Sequence, residues 1–180
     1  MKAVTGIALV SLACLGGAGD ERKPARKPST YTDALYGFRI QAPGFPEAPK
    51  ASTVIPVMFF GPAEGGFSSN VNVLVQLVKM TRDQYLDLSL RQFKARGCTI
   101  NAVQKIEVSG KEAIRFDYQG KLGARDLRWL ALAVLDEDKI FLVTCTTTQE
   151  GFEKHEKEFQ ACVGSFELVK QEPPQPVAAP

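Results

Sequence analysis

The spacing of apolar positions changes several times along the chain, and each change predicts an element. Residues 36–43 (YGFRIQAP) alternate apolar and polar before Pro43 and Pro46, predicting a first strand ended by a Pro-rich loop. Residues 54–60 are a second β-rich run, and 61–66 (GPAEGG) read as a turn. Residues 70–78 alternate at first and then become continuously apolar, as in a strand covered on both faces. The two runs are predicted to form a hairpin. Over 81–96 the period becomes helical: Thr81 and Gln84 match a capping box, Leu86, Leu90 and Phe93 line one face, and Gly97 is a stop. Strand patterns return at 99–108, 113–118, 127–135 and 140–146, separated by turns at 109–110, 120–123 and 136–139. Four strands joined by such short turns predict an antiparallel meander. A second helix is predicted over 150–163, with Phe152, His155, Phe159 and Cys162 on one stripe. The fold class is α+β, with six or seven antiparallel strands and two main helices.

The two ends of the chain depart from this pattern. Lys2 precedes an apolar run of about a dozen residues and then Gly16, Gly17, Ala18 and Gly19, which reads as an export signal over residues 1–19. The run is too short to span a bilayer, which needs about 20 apolar residues. Alternatively, Leu12-Ala13-Cys14 resembles the end of a lipoprotein signal, with Cys14 the lipidation candidate and peripheral membrane association as its consequence. Both readings stay open. Residues 20–30 are polar, basic and interrupted by prolines, and read as a linker; residues 31–169 form the domain, and 170–180 a Pro/Ala-rich tail.

Composition changes this picture in one respect. The 180 residues are 44% hydrophobic and 23% charged, as in an ordinary globular protein, with a formal charge of +2. Five of the 22 basic residues precede residue 28, leaving 17 basic against 18 acidic residues from there on. The near-neutral remainder argues against a nucleic-acid partner, whose footprint would be basic.

The order of these elements resembles a known family. Tyr36-Gly37-Phe38 with Pro43, a strand through Asn70-Val71-Asn72-Val73, a helix, Ile106 to Gly110 with Ala113, the FLVTCT strand at 141–146 and a helix ending in Gly164-Ser165-Phe166 are similar to the PsbP-like family, over about residues 31–168. The resemblance implies a PsbP/DcrB-type α/β/α sandwich whose sheet and loops serve as a docking surface, with no shared active site. It implies no cofactor and no photosynthetic role.

Candidate chemistry is sparse. His155 is the single histidine, on the apolar stripe of the second helix, where a hydrogen-bonded core-edge role is expected. A Cys145–His155 pair would be the sharpest catalytic arrangement, a thiolate beside an imidazole, but no nucleophile signature accompanies it. No catalytic residue is assigned. Glu153, His155, Glu156 and Glu158 cluster without any His-x-x-x-His or Cys-x-x-Cys spacing, so no metal site is assigned either. Trp129 is expected to be core or sheet-surface rather than a ligand platform. In an oxidising compartment Cys145 and Cys162 are the disulfide candidates, closing a loop of about 16 residues worth about 3 kcal/mol, with Cys98 left as a buried thiol and a Cys98–Cys162 pairing as the alternative.

The functional expectation is a non-enzymatic exported envelope protein that binds another envelope protein. The alternative is a carrier of a small apolar ligand in a sheet–helix cavity lined by Phe59, Phe60, Phe93 and Phe116. The sequence leaves the oligomeric state open.

Overall fold

The structure, a computed structural model, describes residues 29–49, 52 and 54–169. The export signal with Cys14, nearly all of the linker and the Pro/Ala-rich tail lie outside the described residues. The elements run β1 (Thr30–Asp33), β2 (Phe38–Gln41), β3 (Val57–Glu64), β4 (Phe67–Gln76), α1 (Arg82–Ala95), β5 (Thr99–Val108), β6 (Lys111–Leu122), β7 (Arg125–Asp136), β8 (Lys139–Thr148), α2 (Phe152–Ser165) and β9 (Glu167–Leu168). A six-stranded antiparallel sheet has the order β3-β4-β8-β7-β6-β5, and β1, β2 and β9 form a separate three-stranded sheet. The meander β5 to β8 is present as predicted. The first predicted strand, now β2, has left the main sheet. Phe38 pairs with Leu168 and Arg39 with Glu167, so a two-residue strand at the far end of the chain captures it.

Two of the predicted turns, at 61–66 and 120–123, give up most of their positions to strand. β3 continues through Gly61 and Pro62 to Glu64, with a register shift between Phe60 and Ala63, and the chain reverses at Gly65 and Gly66, both at positive φ. β6 likewise continues through Gly120, which pairs with Leu127. A Cβ at Gly120 would lie 2.9 Å from Cys98 Sγ, so glycine lets the chain entering β5 pack directly on β6.

Alternation divides the core into two layers. Leu130, Leu132 and Val134 of β7 join Val71, Val73, Phe141 and Val143 on one face, covered by α2 and by Phe38 and Ile40 of the small sheet. Phe38, Phe141 and Phe166 pack there with ring centroids 5.5–5.8 Å apart. Trp129, Ala131 and Ala133 point to the other face, where α1 lies over β5 and β6. There Phe93 stacks on Tyr118 at 4.2 Å and Tyr118 on Trp129 at 5.1 Å. Trp129 is core, the first of the two places expected for it.

The α1 capping box is formed: Gln84 N–H donates to Thr81 Oγ1 at 3.2 Å, and Thr81 N–H donates to Gln84 Oε1 at 3.0 Å. Its deepest stripe is Tyr85, Ser89 and Phe93, with the predicted Leu86 and Leu90 flanking it. Tyr85 tolerates burial because its hydroxyl donates to Gln76 Oε1, and Ser89 Oγ donates to the Tyr85 carbonyl. Among the described residues no helix is long and apolar enough to cross a membrane.

Candidate functional site

Of the predicted chemistry-bearing residues, Cys145 of β8 and His155 and Cys162 of α2 are packed into the α2 side of the core. His155 is buried, edge-on to Phe45 at 5.4 Å and stacked with Phe159 at 5.7 Å, with Nδ1 3.8 Å from Glu158 Oε2. It is more buried than the core-edge role expected of it, and it meets the two rings and Glu158. Glu158 accepts a hydrogen bond from Gly44 N–H, tying α2 to the loop after β2. Among the described residues no three His, Cys, Asp or Glu side chains converge as a metal site would require.

Cys145 and Cys162 share the α2-side core, but the structure holds them, with Cys98, as free thiols in place of the expected bridge. Cys145 Sγ is directed instead at the Phe159 carbonyl, 4.0 Å away and one turn before Cys162. Burial pushes the Cys145 thiol well above the ordinary cysteine range and Cys162 up to about 12. A thiol held protonated in this way is a poor nucleophile. The four phenylalanines expected to line a ligand cavity are not brought together. Phe59 lies in the α2-side core, while Phe93 and Phe116 lie in the α1-side core. Phe60, opposite Asn70 on β3, is separated from Phe116 by three strands.

Among the described residues, polar side chains converge instead in two open recesses. The larger, about 820 Å³, lies where the β3–β4 and β6–β7 turns meet the start of α2. Lys154 of α2 forms an ion pair with Glu64 and, through that hydrogen bond, holds the carboxyl below its usual range. Arg125 Nη2 donates to the Gly66 carbonyl at 2.9 Å, and Gln149 N–H to the Asp126 carbonyl at 3.0 Å. These contacts join three loops to one another. Beneath them the Ser69 and Thr147 hydroxyls, on adjacent strands, are 2.8 Å apart and buried. Gly151 opens α2 without a side-chain cap, and its N–H donates to Thr148 Oγ1 at 3.1 Å. A Cβ there would meet the Thr148 and Thr147 hydroxyls at 2.9 and 3.0 Å, so glycine is required for the helix to start this close to β8.

The smaller recess, about 320 Å³, lies between α2 and the β5–β6 end of the sheet, with Gln104, Arg115, Asp117 and Gln160 in its walls. Arg128 grips Asp117 in a two-pronged contact, Nε to Oδ1 at 3.0 Å and Nη2 to Oδ2 at 2.8 Å, and Asn101 Nδ2 adds a third donor at 2.9 Å. Burial alone would raise the Asp117 carboxyl; the bonds from Arg128 and Asn101 outweigh it and hold the group below the usual aspartate range. The Arg128 guanidinium also lies 3.7 Å above the Phe152 ring, so one side chain joins β6, β7 and α2. Nothing in the sequence patterning singled out Asp117 and Arg128. The signal was the hairpin register: Asp117 opposes Leu130 and Gln119 opposes Arg128, which sets the two charges diagonally.

No family model and no curated protein matches the chain. Solved structures do. Cyanobacterial PsbP (CyanoP) from Synechocystis sp. PCC 6803 superposes with a TM-score of 0.62 at 16% identity, over 85% of this chain and 98% of that one. The fold is PsbP-like. Two further structures share this fold at low identity. PA94 from Pseudomonas aeruginosa gives 0.54 at 18% identity over 74% and 91% of the two chains, and LpqN of Mycobacterium tuberculosis, described as involved in cell envelope biogenesis, gives 0.55 at 9% over 83% and 87%. These likenesses fix the architecture of the PsbP-like domain and leave its activity to its own surface.

Proposed function

We propose that this PsbP-like domain is a non-enzymatic, exported envelope protein, an accessory module that binds another envelope protein through the recess at the start of α2. The observation that carries the reading is that recess: three loops and a helix start, fixed to one another by one ion pair and by hydrogen bonds to the backbone, present mixed charge in an open hollow of about 820 Å³. Preformed polar surfaces of this kind recognise partners with little ordering cost. The leader read from residues 1–19 and the fold shared with LpqN, whose own description is of envelope biogenesis, support an extracytoplasmic setting. A buried, protonated Cys145 and an aromatic-packed His155 give the cysteine–histidine route no support. The division of the four phenylalanines between two faces likewise gives an apolar carrier little support.

A photo-crosslinking side chain placed at Gln149, inside the recess, is expected to capture one recurrent envelope protein in cells. The same group at Lys139, at the opposite end of β8, should capture none. Equal capture from both positions, or no adduct from Gln149, overturns the reading.

A further inference from the structure

The six-stranded sheet has two edges, and they are finished differently. Along β3 the chain before it returns as a cover: Ala48 N–H donates to the Met58 carbonyl at 2.8 Å, Phe60 N–H donates to the Pro46 carbonyl at 3.0 Å, and Glu47 bridges to Phe59. β5 is paired with β6 on one side, and among the described residues no strand pairs with its other side. Such a row of unpaired N–H and C=O groups is a template for another strand. A register shift between Ile100 and Ala102 spoils the first part of that template and leaves 102–108 regular.

The side chains on this regular stretch restrict what can pair with it. Gln104, Ile106 and Val108 lie on the α2 side of the sheet, opposite Arg115, Ala113 and Lys111; Lys105 and Glu107 lie on the α1 side, opposite Ile114 and Glu112. A lysine on an edge strand discourages an arbitrary apolar strand. It favours one with a carboxylate opposite. When two copies of a strand pair antiparallel about a two-fold axis perpendicular to a continuous sheet, the faces are preserved and the axis passes midway between the two copies of one residue, which pairs with itself. Centring on Lys105 or on Glu107 sets like charges opposite each other, and centring on Gln104 leaves Lys105 facing Val103. Centring on Ile106 sets Lys105 of each copy opposite Glu107 of the other, with Ile106 on Ile106 between them.

We propose that this chain forms a two-fold dimer in which β5 pairs antiparallel with β5 of a second copy, centred on Ile106, to make one continuous sheet. Lys105 already holds Asp83 of α1 at 2.7 Å, on an exposed surface, and the dimer adds a second carboxylate to it. Exposed ion pairs contribute little affinity, so main-chain hydrogen bonds and Ile106 hold the copies together while the charges choose register and partner. The proposal does not depend on the partner-binding reading. The recess at the start of α2 draws its residues from β3, β7, β8, α2 and the turns between them, and none comes from β5.

The test is sedimentation of the purified, cell-processed protein from about 10 μM to 1 mM, a range that resolves weak association. Wild type is expected to dimerise with concentration. Lys105→Glu and Glu107→Lys should each weaken the dimer about tenfold or more, because each sets two like-charged pairs opposite each other. Mixed in equal amounts, the two variants should form a heterodimer at wild-type strength, since the carboxylates of one then face the ammonium groups of the other. That rescue reports contact between copies and cannot come from a fold merely damaged by either change. A wild type that stays monomeric at the highest concentration, dimers indifferent to both substitutions, or a mixture no stronger than its components overturns the proposal.

Discussion

Strands β8 and β5 are each ten residues long and belong to the same antiparallel sheet, yet β8 is buried at eight consecutive positions and β5 at none. Hydrophobicity alone does not separate them. β8 buries Thr144, Thr146 and Thr147, while β5 leaves Ile100 exposed. Place in the sheet separates them. β8 lies between β4 and β7, with the α2 layer over the face that carries Phe141 and Val143; among the described residues β5 pairs with β6 alone, with α1 along part of one face and Ile106 and Val108 at the margin of the other core layer. A central strand must satisfy its polar side chains within the protein or at its margins, as the Ser69–Thr147 pair does. An edge strand can keep Gln104 and Lys105 exposed, with the Lys105 charge met by Asp83 at the surface.

The largest effect that could break this contrast is at Phe141, fully buried on β8 against Phe38 and Phe166. Phe141→Ala is expected to cost about 3–5 kcal/mol in urea unfolding, and Gln104→Ala on β5 no more than about 0.5 kcal/mol. Comparable losses at the two positions would show that place in the sheet is not what sets their contribution. A smaller effect sharpens the boundary between the two regions at Asp117, where β6 and β7 meet α2 through Arg128. Asp117→Asn should cost about 1–3 kcal/mol at neutral pH by weakening charged hydrogen bonds. Because the folded carboxyl titrates below its unfolded value of 3.8, wild type holds this increment above that pH and loses it as pH falls through the lower folded value. The difference between wild type and variant should therefore narrow below about pH 3.8; a constant difference across the acid range would remove the assigned cause. The smallest effect is kinetic. A thiol reagent should label Cys98, half-buried just before β5, ahead of Cys145 on β8, which should react no faster than the protein opens. Cys145 labelling first would reverse the contrast.

Much of the fold was legible because local patterns and tertiary structure agree. The Thr81–Gln84 capping box, the Gly97 stop and the four-strand meander follow from period and turn chemistry, and the α2 stripe of Phe152, His155, Phe159 and Cys162 is buried as its spacing implies. Illegible were β1 and β9. Four residues and two residues carry too little pattern, and β9 exists because Phe166 docks beside Phe38 and brings Glu167 to Arg39. The turns at 61–66 and 120–123 are shorter than their glycines suggest, because glycine signals both a turn and a close approach, and at Gly120 the second meaning holds. The candidate sites were less legible still. Arg115, Asp117, Arg128 and Lys154 are ordinary charged residues until strand register and helix placement bring their partners near.

By itself, then, the sequence determined the longer strands and the two helices, since period and capping depend on neighbours within a few residues, and, by composition alone, that the domain carries almost no net charge. Tertiary structure decided which strand is central and which is an edge, that β2 pairs with the far end of the chain, and that the two thiols expected to bridge stand as separate buried groups. Those outcomes depend on contacts between residues a hundred or more positions apart, as between Arg39 and Glu167, or on the close approach of two surfaces, and no local pattern records either.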